Sequence, residues 1–138
     1  RNWYRASGHE IDLQQAVSLE VGELIDVVIG ISSRESIDRI AIVDALCGAV
    51  EIENQALSGS VQQGYAGKRR ISRPGRFEKL LDRALLFTHA SQHVRYFHYR
   101  IRVMASGEFA LPPIQASCMY DSTIAARGQS GWVRTRKP

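Results

Sequence analysis

Cysteine is scarce: the 138-residue chain has two, Cys47 and Cys118. They form neither a C-x-x-C motif nor a zinc-type pair, which excludes the commonest thiol redox and thiolate metal sites. Two readings of the pair remain. One disulfide would close a loop of about 70 residues and stabilise the fold by roughly 4 kcal/mol in the chain-entropy model. Two separate buried thiols would instead pack as small hydrophobes. Long apolar runs are missing too, and none approaches the roughly 18 residues that span a bilayer as a helix. The chain opens on Arg1 with no leader pattern, which fits a processed product or an excised fragment.

A strong charge of one sign is also absent. Lys and Arg number 18 against 14 Asp and Glu, giving a net charge of +4 and a pI near 9.4. The excess gathers at Lys68, Arg69, Arg70, Arg73 and Arg76, and at Arg134, Arg136 and Lys137. No zinc-finger spacing, aromatic RNA-binding signature or long basic helix accompanies it, so a solvated basic loop and tail are expected and nucleic acid is not.

Catalytic and cofactor motifs are lacking. There is no G-x-S-x-G elbow, no G-x-G-x-x-G and no G-x-x-x-x-G-K, so no cofactor is expected. His89 and His93 have the spacing of two ligands on one helix face, but no Glu follows His89 and no third ligand lies nearby, so no metal site is expected. His98 falls on the polar side of an alternating run and reads as solvated. Asp44, Glu51 and Glu53 read as outward-facing strand carboxylates, not as a catalytic pair. An enzyme is therefore not expected.

What is present is a period of two. Ile25, Val27, Ile29 and Ile31 share one face of the run from Leu24 to Ile31. Phe97, Tyr99, Ile101 and Val103 alternate with Tyr96, His98, Arg100 and Arg102. Both read as strands with one buried side. Shorter extended pieces follow at Phe109–Leu111, Ile114–Met119 and Gly131–Arg134, and Pro112-Pro113 marks a strand break. Many short strands in 44% hydrophobic, 23% charged sequence indicate an all-β fold, an antiparallel β-sandwich. The stretch 58–76, with Gly59, Gly64, Gly67 and Gly75, reads as one long loop with room for a short helix. Residues 37–57 mix β-branched residues with a partial helical pattern. Phe77, Leu80, Leu81, Ala84, Leu85 and Thr88 fit an amphipathic helix, with Pro74 just ahead.

Four segments carry a family resemblance. They are Ala41–Leu46 with Val50–Asn54; Phe77-Glu78-Lys79 with Asp82-Arg83 and Leu85-Leu86-Phe87; Phe97–Val103 with Gly107-Glu108-Phe109; and Leu111-Pro112-Pro113-Ile114-Gln115-Ala116 leading into Met119-Tyr120-Asp121. In this order, over roughly residues 8 to 135, the chain resembles the C-terminal domain of bacterial alpha-2-macroglobulins. The resemblance implies a macroglobulin-like sandwich, akin in shape to immunoglobulin domains, with residues 1–138 as one domain of a longer chain and residues 1–7 as a connecting segment. It implies a non-catalytic domain of a periplasmic, lipid-anchored protein that traps proteases.

In that family a Cys–Gln thioester in another domain captures the protease. The resemblance places Met119, Tyr120 and Asp121 in the loop that shields this thioester. Tyr120 follows the run Ile114–Met119 and precedes the polar Asp121-Ser122-Thr123, so its ring is expected at the rim of the sandwich. The implied partners are other domains of the same chain, proteases through the parent, and cell-envelope proteins, with no direct membrane contact from this domain. Resemblance also makes 77–88 a turn feeding a strand at about 84–88, in place of the helix. There are departures. Leu80-Leu81 replace a charged pair, Ser122-Thr123 replace Pro-Glu, and Cys47-Gly48-Ala49 replace a Pro-Gly-type turn. The thioester motif itself is absent. A periplasmic or cell-surface adhesion-type sandwich is the alternative reading.

Overall fold

A computed structural model describes residues 1–15, 18–53 and 71–138. The described residues form thirteen strands and no helix: β1 Asn2–Arg5, β2 Glu10–Ile11, β3 Ser18–Glu20, β4 Leu24–Ile31, β5 Ile37–Ala45, β6 Val50–Ile52, β7 Arg76–Lys79, β8 Arg83–Ala90, β9 Arg95–Val103, β10 Gly107–Leu111, β11 Gln115–Cys118, β12 Asp121–Arg127 and β13 Gly131–Arg136. They make one five-stranded sheet in the order β2-β1-β4-β9-β6, a second in the order β12-β11-β5-β8-β7, and a three-stranded sheet β10-β13-β3. Pairing is antiparallel except between β13 and β3. The stretch expected to be a long loop with room for a short helix, 58–76, lies outside the described residues as far as residue 70. Beyond it Ile71 bridges to Tyr96, and Arg76 already begins β7.

The period-two runs explain the core. Across β4 and β9, Ile25 faces Ile101, Val27 faces Tyr99 and Ile29 faces Phe97. Opposite them lie Ile40 and Ile42 of β5 with Ala84, Leu86 and Ala90 of β8, all in one buried cluster. Each of the Ile, Val, Leu and Phe side chains contributes about 1.5–3 kcal/mol through burial, and the two alanines less. Leu19, Leu111 and Val133 of the small sheet close one side of it.

Three expectations are corrected. First, 77–88 is not a helix but the hairpin β7–β8. Leu80 N–H donates to the Arg83 carbonyl at 3.0 Å across the turn. Leu81 is 95% exposed while Leu86, off the helical template, is 1% exposed. Seven register pairs with β5 outweigh helix propensities that differ by only a few tenths of a kcal/mol per residue. The strand that the resemblance implied at 84–88 runs from Arg83 to Ala90.

Second, residues 1–7 are no mere connector. β1 hydrogen-bonds between β2 and β4, and Trp3 is wholly buried. Third, Asp44 does not face outward. It follows Ile40 and Ile42 on the inner face of β5 and is 0% exposed. Its carboxylate accepts hydrogen bonds from the Arg1 guanidinium at 2.6 Å and from the Tyr99 hydroxyl. Burial, reinforced by the Asp44 charge, holds the Tyr99 hydroxyl protonated well above its ordinary range. Both cysteines are free, Cys47 buried and Cys118 partly so. Burial pushes the Cys47 thiol up, which suits an inert core residue.

Candidate functional site

The hairpin β11–β12 carries the residues singled out in the sequence. β11 pairs with β5 on one side, with Ser117 against Ala41 and Cys118 against Ile40. On the other side it pairs with β12, where Cys118 stands opposite Asp121. Met119 and Tyr120 are therefore the two corner residues of a tight turn. They project at the rim, 56% and 75% exposed. The polar stretch after Tyr120 is itself a strand, β12, exposed along its whole length.

Asp121 fixes the turn. Its Oδ1 accepts the Thr123 backbone N–H at 3.0 Å and the Thr123 hydroxyl at 2.6 Å. These bonds favour the ionised form and hold its carboxyl below the usual range. The register jumps from Ser117 opposite Ala125 to Cys118 opposite Asp121, so residues 122–124 bulge out of the ladder.

A residue not singled out in the sequence completes the tip. Arg39 stands at the bulge of β5, where the pairing with β8 shifts between Ile37 and Ile40. Its φ is 57°, and among the described residues no other non-glycine has a positive φ. Its carbonyl accepts the Met119 N–H at 2.8 Å, and its guanidinium carbon lies 5.2 Å from the centre of the Tyr120 ring. A signal for it exists in the sequence. Ile37 and Ile40 are three apart, whereas Ile40, Ile42 and Asp44 keep the period of two. That slip marks a bulge.

The other candidates are dispersed. His98 is not solvated: its Nε2 lies 2.9 Å from Oδ1 of the buried Asp26, which also accepts Arg100 Nε at 2.9 Å. Tyr4 and Val28, with Tyr96 against them, form a small second cluster on this face of the sheet. Glu53 pairs with Arg102 at 3.2 Å, not with Glu51 or Asp44. His89 lies in β8, one residue before its end, and meets Arg95 at 3.1 Å, while His93 lies outside the strand, so the helical ligand spacing does not exist. Among the described residues no three metal-type side chains converge. An open cleft of about 620 Å³ bordered by Arg1, Glu10, Asp12 and Gln14 lies elsewhere and includes none of the tip residues. The tip offers a thioether, an aromatic ring and a guanidinium on a braced turn. These groups are enriched at protein interfaces.

The model of the bacterial alpha-2-macroglobulin MG10 domain family matches residues 1–122, so β1 lies inside the family domain. Among solved structures, native alpha-2-macroglobulin from Escherichia coli, spanning domain MG7 to the C-terminus, superposes with a TM-score of 0.83 at 20% identity, over 98% of this chain and 22% of that one. Salmonella alpha-2-macroglobulin reacted with methylamine gives 0.82 at 24% identity, over 99% of this chain and 9% of that one. Trypsin-activated alpha-2-macroglobulin from Escherichia coli gives 0.78 at 19% identity, over 96% of this chain and 10% of that one. The chain thus spans less than a quarter of these relatives. No curated protein sequence matches it. Because the family model covers all but the last 16 of the 138 residues, this chain belongs to the bacterial alpha-2-macroglobulin MG10 domain family.

Proposed function

We propose that residues 1–138 act as one non-catalytic domain of a longer, protease-trapping bacterial alpha-2-macroglobulin, and that the Met119-Tyr120-Asp121 tip is its contact with a neighbouring thioester domain. The single observation that carries this reading is a large aromatic ring, 75% exposed, at the corner of a turn fixed by hydrogen bonds on both sides. Left in water, exposed apolar surface of this kind contributes nothing to the fold of the domain itself. Against a second domain it would exclude water, while its hydroxyl keeps a hydrogen-bonding option. Excluding water from a thioester preserves it until a protease arrives.

The same reading puts the parent in the periplasm, lipid-anchored to a bacterial membrane, with proteases and cell-envelope proteins as partners of the whole molecule. The protease-trapping part of the reading is supported by the relatives, one of which is described as reacted with methylamine and another as trypsin-activated. The test is to incubate the longer protein with trypsin and run it under denaturing conditions. The reading expects a covalent protease adduct, reduced in Tyr120→Ala because water has already spent the thioester. No adduct from the wild type, or an equal yield from Tyr120→Ala, contradicts it.

A further inference from the structure

We propose that Arg39 is the positioning residue for Tyr120, presenting its ring to the neighbouring domain. This inference rests on the reading of the tip given above and deepens it. Three observations converge. First, β5 departs from regular pairing between Ile37 and Ile40. A bulge re-aims side chains, because it breaks the alternation of faces. Second, the residue at that bulge adopts a left-handed backbone, φ 57°, which glycine would take at no steric cost. What arginine adds at this position is its side chain.

Third, that side chain goes to the ring. The guanidinium carbon of Arg39 is 5.2 Å from the Tyr120 centroid, against 5.8 Å for Arg76 over Phe87 and 5.7 Å for Arg95 over Phe97. Arg76 and Arg95 have second partners, Glu78 and His89. Among the described residues the side chain that meets the Arg39 guanidinium is the Tyr120 ring. Backbone and side chain act together: the Arg39 carbonyl holds Met119, one corner of the turn, at 2.8 Å, and the guanidinium holds Tyr120, the other corner. A cation over a ring face is attracted by its quadrupole, and the attraction strengthens on desolvation. Docking a second domain over the tip would supply that desolvation, so the pair tightens as the interface forms. A ring held in its bound orientation also loses less freedom on docking.

The test separates positioning from folding. Arg39→Gly and Arg39→Asn both tolerate the left-handed backbone and remove the guanidinium, whereas Arg39→Lys keeps a cation. The aromatic 1H–13C resonances of Tyr120, assigned through Tyr120→Phe, are followed in the 138-residue chain together with the urea midpoint. The expected result is that Arg39→Gly and Arg39→Asn move the Tyr120 resonances towards free-tyrosine values, Arg39→Lys largely restores them, and the Arg39→Gly midpoint does not fall. Tyr120 resonances unmoved in both variants overturn the proposal. So does a shift accompanied by general unfolding in both.

In the longer protein, Arg39→Gly should raise the rate of methylamine incorporation severalfold and add nothing in a Tyr120→Ala background. Effects that multiply instead overturn the coupling of the two residues. If Tyr120→Ala alone leaves that rate unchanged, the docking reading fails, and the ring resonances still decide whether Arg39 positions Tyr120.

Discussion

Arg1 reaches Asp44 at 2.6 Å inside the sandwich, where the two side chains are 3% and 0% exposed. The same guanidinium donates to the carbonyls of Pro112 at 2.9 Å and Gln129 at 3.1 Å. Together with Tyr99, this network joins β5, β9 and two loops across the core. Asp44→Ala should cost about 3–5 kcal/mol, because it leaves a buried guanidinium without its counter-charge. Tyr99→Phe removes one donor and should cost about 1–3 kcal/mol. Urea unfolding at unchanged slope measures both. Equal, small losses would mean that the network contributes little.

The hairpin at 76–90 gives a direct contrast. Leu81→Ala should change stability by less than about 0.5 kcal/mol, as at other exposed sites. Leu86→Ala should cost about 2–5 kcal/mol through a core cavity. An amphipathic helix over the same residues would reverse the order. Thermal unfolding of the two variants decides between them.

Much of this fold is legible from alternation alone. Ile25-Val27-Ile29 and Phe97-Tyr99-Ile101-Val103 identify their buried faces because one side of each strand meets the core. The hairpin at 77–88 is not legible that way. Leu80 and Leu81 fall on a helical stripe by composition, and only pairing with β5, distant in sequence, exposes them. Asp44 misleads for a similar reason. A carboxylate on a strand usually faces water, and here its partners Arg1 and Tyr99 arrive from 43 and 55 residues away. The tip residues Met119, Tyr120 and Asp121 come from a family resemblance, since no spacing rule points to an exposed tyrosine. Arg39 shows in the sequence as a broken period, but its contact with Tyr120 depends on the fold.

Asp26 ties stability to acid. Burial alone would raise its carboxyl, but hydrogen bonds from His98 and Arg100 outweigh that and hold it below the ordinary value of 3.8. The native state therefore binds this proton less readily than the unfolded chain. The resulting stability is fully present above the ordinary carboxylate range and is lost as pH falls through the depressed value. Urea midpoints taken from pH 5 to pH 2 should fall more steeply for the wild type than for Asp26→Asn. Parallel curves would show that Asp26 carries no such linkage.

The most direct test of the account compares Tyr120→Ala in two settings. In the 138-residue chain the change should cost less than about 1 kcal/mol, because the ring is 75% exposed. In the longer protein the proposed shielding role expects faster reaction of the thioester with methylamine, because small nucleophiles would gain access. A rate of methylamine incorporation in Tyr120→Ala equal to that of the wild type would contradict the claim that this tip shields a neighbouring domain.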